Sequence, residues 1–260
     1  MKKIIDNLRK LKKYNAVAVK QSLEDEGASF QEIKIMRNIT RKTGLQHNIK
    51  VGGCEAKTDI FFCERLGVSG IVAPMVETSY GLRKFIQIVT NNKKQNLYIN
   101  VESINAFKNI KKIFISKDFK KLKGIVIGRS DLAGSLNLEK SQVDSKKIYN
   151  LVFNLLKKIK KKKKIVTKMG GSLTPNSLEF VSKLYKNNLL DRVETRNIEI
   201  KLSNKVLNNF KEIIINIFNF ELEWIKYNQK RNLKKKNRMK NDSISRIKEL
   251  KKRLQNFNNA

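Results

Sequence analysis

The stretches LYINVES, residues 97–103, and KGIVIGRSDLAGSL, residues 123–136, decide how this chain reads. Each opens on a short apolar run rich in Ile and Val, and each run ends near an acid: Glu102 in the first, Asp131 in the second. Runs this short and this continuously apolar fit strands buried on both faces, as in a parallel sheet covered by helices. The segment between them is long enough for one crossover helix, which makes the pair a β-α-β unit. In parallel α/β architectures, side chains just past the C-terminal strand ends form the mouth of the active site. Two carboxylates at neighbouring strand ends are placed to share one hard cation, for which oxygen ligands are the right chemistry. On spacing alone they serve equally well as solvated loop acids.

Outward from this pair the alternation continues. Residues 3–13 space their apolar positions as a helix does, and a short strand follows over 16–19, running into the acidic cluster LEDE. Ser29 is placed to cap the next helix, with Glu32 at the capping-box position and Gly44 to close it. NIKVGG, GIVAPMVE and KIVTKMGG supply further strand candidates, and DRVETRNIEI reads as one last strand over 191–200. A strand–helix unit recurs about every 30 residues, the rhythm of a (β/α) barrel. Seven strands are legible, so either an N-terminal strand is very short or the barrel is incomplete. The expected fold is an α/β TIM-type barrel over residues 1–203 with a basic C-terminal helical extension over 204–260. The lysine run 160–164 reads as a solvated helix end suited to the helix dipole. The segment 229–243 reads as a mobile arm or a helix docking on a neighbouring subunit.

The formal charge of +34 over 260 residues invites a nucleic-acid reading. The charge is mostly Lys spread along the whole chain, and no helix-turn-helix, zinc-finger or ribonucleoprotein signature accompanies it. The expectation is non-specific adhesion to polyanions without a nucleic-acid function. No apolar run is long enough for a membrane span, and the basic start lacks the apolar core of a secretory signal. Cys54 and Cys63 read as ordinary thiols of a reducing cytoplasm.

KVGGCEAKTDI, GVSGIVAPMVET, INVES..A and GIVIGRSDLAGSLNL together resemble the HpcH/HpaI aldolase and citrate lyase beta-subunit family, in the family's order, over about residues 16–200. The resemblance implies a TIM-type barrel that binds pyruvate-like or acyl-derived enolates on a divalent metal. That metal is magnesium or another divalent cation such as manganese, and the chemistry is carbon–carbon bond cleavage next to a carbonyl. The family's metal-binding glutamate and aspartate match Glu102, in ESINA, and Asp131, in GRSDL. The implied mechanism is Lewis-acid stabilisation of enolate charge.

The chain departs from the family at two places. Lys50 stands where members carry an arginine that clamps the substrate carboxylate; lysine supplies the charge without the planar fork. The acidic loop SLEDEGAS has no histidine, and the single histidine, His47, reads as a surface residue before a strand. Glu26 is therefore the candidate base, with Glu24 and Asp25 as alternatives, or a carboxylate network acting through water; the same acids read equally as a structural loop. Arg129 reads as a substrate-anion ligand or a partner of Asp131, and Ser130 and Ser135 as hydrogen-bond donors. Gly170 and Gly171, ahead of Thr174 and Pro175, read as an anion-binding turn or an ordinary one. Alternation puts Glu194 and Arg196 on one side of the last strand, to anchor substrate or to bind the adjacent element. Cys54 and Glu55 follow a glycine turn that can help cover the site.

The reading that results is a metal-dependent carbon–carbon lyase acting on a small anionic keto acid or acyl substrate, with a coenzyme A thioester among the candidates. The assembly expected is a homo-oligomer. The rival is a barrel without turnover that binds an anionic metabolite or serves as an assembly subunit.

Overall fold

The computed structural model of this chain describes residues 1–24, 26–89, 94–162, 164–231 and 237–258. Eight strands close a barrel in sequence order: β1 (Ala16–Ser22), β2 (Gln46–Lys50), β3 (Gly70–Ala73), β4 (Asn96–Val101), β5 (Gly124–Gly128), β6 (Val166–Gly170), β7 (Arg192–Glu194) and β8 (Ile198–Lys201). β1 to β7 run parallel, and β8 is antiparallel to both of its neighbours. The helices are α1 (Lys2–Lys13), α2 (Phe30–Thr43), α3 (Lys57–Leu66), α4 (Ser79–Ile88), α5 (Ile104–Ile115), α6 (Arg129–Gly134), α7 (Lys146–Lys162), α8 (Leu178–Lys186), α9 (Asn204–Asn208), α10 (Phe210–Arg231) and α11 (Asn237–Asn258). No described helix is long and apolar enough to cross a membrane.

Local chemistry sets the element ends where the sequence indicates. The Glu32 amide donates to Ser29 Oγ at 3.2 Å and the Ser29 amide to Glu32 Oε2 at 2.8 Å, a reciprocal box at the start of α2. Gly44 ends that helix at φ 65°, a left-handed turn that glycine makes without steric cost.

The apolar core lies between the strands and the surrounding helices, and α10 contributes Phe210, Ile214 and Phe218 to it. Inside the barrel the filling is largely ionic. Among the described residues Val72, Tyr98 and Val126 form a small apolar patch there. Beside them Glu199, fully buried, receives Lys168 Nζ at 2.7 Å, Arg192 Nη1 at 2.6 Å and Asn48 Nδ2 at 3.0 Å. Burial opposes its charge, but Lys168 and Arg192 hold its carboxyl below the ordinary carboxylate value. Lys168 Nζ also sits 3.4 Å from the centre of the Tyr98 ring.

Three expectations are corrected. The stretch 191–200 is not one strand but the hairpin β7–β8, so the barrel is complete, and its eighth strand lies at the C-terminal end of the sheet. The turn forms because the Thr195 amide donates to the Ile198 carbonyl at 2.9 Å and the Ile198 amide to Thr195 Oγ1 at 3.2 Å. His47 is not a surface residue: β2 starts one residue earlier, and the imidazole is buried with Nε2 3.0 Å from Gln21 Oε1. Burial, then the charge of Arg37, push its pKa down to about 3. Lys160 is not simply solvated, since its ammonium binds Asp191 Oδ2 at 2.6 Å and ties α7 to the start of β7; Lys163 lies outside the described residues. Of the segment 229–243, residues 232–236 lie outside the described residues; further along, α11 packs on α10 of its own chain, burying Leu250 completely.

Candidate active site

A cavity of about 300 Å³ opens at the C-terminal ends of the strands, where the parallel architecture directs functional side chains. Glu102 follows directly on β4. Its Oε1 accepts the Met75 amide at 3.0 Å and its Oε2 accepts Asn100 Nδ2 at 2.9 Å. The carboxylate crosses Gly128, where a Cβ would stand 2.4 Å from Glu102 Oε2; only glycine leaves room for it there. Asp131 stands on the first turn of α6, directly after β5, exposed at the same cavity. Burial pushes the Glu102 carboxyl up to about 7, and the nearby charge of Asp131 adds to it; the Met75 amide, Lys50 and Asn100 act against the rise. Buried Asn100 Oδ1, on the same wall, has no hydrogen-bond partner.

Lys50 ends β2 and lines the cavity, its Nζ 2.6 Å from Glu24 Oε2. Glu26 lines it too, with Oε1 3.3 Å from Arg196 Nε and Oε2 accepting the Ser22 amide at 3.4 Å. Asp25 lies outside the described residues. Glu194 and Arg196 both face the cavity, but each is bound to the first strand–loop unit: Glu194 accepts Lys20 Nζ at 2.6 Å, and Arg196 holds Glu26. Lys20 is buried, which opposes its charge, yet Glu194 holds the ammonium above its ordinary value.

Arg129 is placed otherwise than expected. Its fully buried guanidinium does not line the cavity. It donates to the Gly170 carbonyl at 3.2 Å and the Gly171 carbonyl at 2.9 Å, pairs with Asp144, and lies 5.0 Å from the centre of the Phe180 ring. Its partner is Asp144, not Asp131. Gly170 and Gly171 do line the cavity, but their carbonyls serve Arg129. Gly171, at φ 85°, packs so closely that a Cβ would come within 2.5 Å of the Ser130 amide. Arg129 and the glycine pair are thus a joint locking the β5 and β6 loops together. Ser130 Oγ meets Ser172 Oγ at 3.0 Å at the cavity, whereas Ser135 Oγ receives the Ile104 amide and steadies α5. Cys54 is half-buried, and burial raises its thiol pKa, with Glu55 adding to the rise.

Sequence reasoning missed Lys20, Asn100 and the C-terminal contribution. Lys20 carried a signal, a charged residue inside an apolar strand, where an unpaired ammonium is costly to bury. Lys140, Arg246 and Arg253 also line the cavity, and nothing distinguishes them from the many other basic residues of the chain.

A family model described as HpcH/HpaI aldolase/citrate lyase matches residues 19–167, more than half of the chain. No curated protein matches. Among solved structures, an HpcH/HpaI aldolase/citrate lyase family protein from Burkholderia cenocepacia J2315 superposes with a TM-score of 0.60 at 11% identity, over 74% of this chain and 82% of that one. An HpcH/HpaI aldolase from Desulfitobacterium hafniense DCB-2 gives 0.55 at 12%, over 72% and 88%. The citrate synthase SbnG gives 0.55 at 12%, over 69% and 78%. At such identities these structures speak for the fold alone.

Proposed function

The chain belongs to the HpcH/HpaI aldolase/citrate lyase family, and from that membership we propose that it is a divalent-metal-dependent carbon–carbon lyase acting on a small 2-oxo or acyl acid. The observation that carries the reading is the convergence of Glu102 and Asp131, from the ends of the paired strands β4 and β5, on one cavity beside Lys50. The donor set fits magnesium or manganese. Both side chains offer carboxylate oxygens, their mutual repulsion helps raise the Glu102 pKa, and a cation relieves it. The unpartnered Asn100 Oδ1 adds a hard oxygen to that wall. Among the described residues no group of three or more His, Cys, Asp or Glu suits a metal, so Glu102 and Asp131 would hold it with substrate and water supplying the other ligands.

A bound divalent cation supplies Lewis-acid charge where enolate charge develops. Lys50, steadied by Glu24, attracts the substrate carboxylate. Glu26 takes the hydroxyl proton as the carbon–carbon bond breaks and returns it to the enolate carbon, while Arg196 holds its carboxylate at the cavity. Lys20 and Glu194 keep the cavity floor neutral and ordered.

Calorimetric titration of oxalate, a mimic of the pyruvate enolate, tests the proposal. Binding is expected only with magnesium, and is expected to be lost in Asp131→Ala. Binding indifferent to metal and to Asp131, or no binding, would sink the lyase mechanism and leave a barrel that serves as a scaffold.

A further inference from the structure

The basic C-terminal helix reaches the cavity. Arg246 and Arg253 are seven residues apart on α11, with Glu249 between them, so all three project from one helical face. Glu221 of α10, nearly fully buried, grips Arg246 through two bonds, Nε to Oε1 at 2.7 Å and Nη2 to Oε2 at 3.0 Å. This is the planar fork-to-fork pairing that fixes a guanidinium in place. Arg246 Nη1 and Arg253 Nη2 then donate to the two oxygens of Glu249, at 2.7 and 2.6 Å. The Arg253 guanidinium lies 5.8 Å from the centre of the Phe218 ring, itself a cavity residue. Lys140, from the loop after α6, also lines the cavity, with Nζ 4.0 Å from Glu249. Three cations thus face two carboxylates along this wall, a net positive rim on the same cavity as Glu102 and Asp131.

We propose that Arg253, set against the Phe218 ring and assisted by Lys140, binds a second anionic group of the substrate, so that α11 selects oxo acids carrying a distal carboxylate or phosphate. The inference rests on the lyase reading for the other end of the substrate. Glu249 accepts from one N–H group of Arg253, and a guanidinium has five, so an incoming anion finds donors at hand. A cavity of about 300 Å³ suits a small diacid.

Binding of 2-oxoglutarate, 2-oxobutyrate and oxalate is to be measured calorimetrically with magnesium, on wild type, Arg253→Gln and Glu249→Gln. The first two probes share an oxo-acid head and differ in the distal carboxylate; oxalate has no distal group. Wild type is expected to favour 2-oxoglutarate over 2-oxobutyrate by about tenfold or more, the range of one charge-assisted hydrogen-bonded contact. Arg253→Gln should erase that preference, and Glu249→Gln, which removes the competing carboxylate, should enlarge it. Equal binding of the two oxo acids, a preference that survives Arg253→Gln, or a preference lost in both variants overturns the proposal, the last because it marks the residues as mere docking contacts. Oxalate binding that needs no magnesium, with the Arg253-dependent preference intact, would overturn the lyase reading and leave this one. No binding of any probe overturns both.

Discussion

If Glu102 holds the proposed cation, it is the residue on which the chemistry and the stability of this protein pull in opposite directions. Its carboxyl is raised to about 7, so the fold favours the protonated form. Such a group contributes stability that is fully present below its unfolded pKa and is lost as pH rises through about 7. Metal binding needs the ionised form and therefore runs the other way. Magnesium affinity, measured by calorimetry from about pH 5.5 to about pH 8.5, should climb by up to tenfold per pH unit and level off above neutrality. Affinity flat across that range would show that Glu102 is not a ligand. Glu102→Gln should abolish binding and yet raise the melting temperature of the metal-free protein at the alkaline end. The glutamine carbonyl keeps the Met75 amide, and a turned Asn100 offers its unpartnered Oδ1 to the new amide group. A variant that melts lower at every pH would contradict this account.

At the scale of elements, the closing hairpin is the part with the narrowest margin. β7 and β8 are short, and the turn between them rests on Thr195, whose hydroxyl accepts the buried Ile198 amide. Thr195→Val keeps the shape and deletes that acceptor, so about 1–3 kcal/mol of stability should be lost, read as a lower denaturant midpoint at unchanged slope. No change would mean that the turn is held by backbone pairing alone. The same pair of elements carries Glu194 and Arg196 to β1 and its loop, so closing the barrel also assembles one side of the cavity.

For the whole molecule, a formal charge of +34 dominates encounters with polyanions. Retention on an immobilised polyanion should fall steeply with salt, and should be the same with and without magnesium and in Asp131→Ala. Retention that depends on metal would mean that polyanions enter the cavity. The cavity at the barrel mouth carries both signs, with Glu26, Glu102, Asp131 and Glu194 set among Lys20, Lys50, Lys140, Arg196, Arg246 and Arg253.

The sequence by itself determined the alternation of elements, the parallel sheet, the α2 capping box and the two carboxylates at the ends of β4 and β5. Each is encoded locally, by apolar run length, a cap at fixed spacing, or an acid next to a strand. Only the tertiary structure decided the rest. RVETRNIEI alternates without Gly or Pro at its turn, so nothing local marks the break between β7 and β8. His47 and Arg129 are polar residues whose burial depends on partners remote in sequence, Gln21 for the first, Asp144 and the carbonyls of Gly170 and Gly171 for the second. Arg246 and Arg253 are two basic residues among many until α11 folds back and brings them to the cavity. Backbone propensity and burial pattern act over one turn or one strand and can be read in order, whereas a charge acquires its role only from what the closed barrel sets beside it.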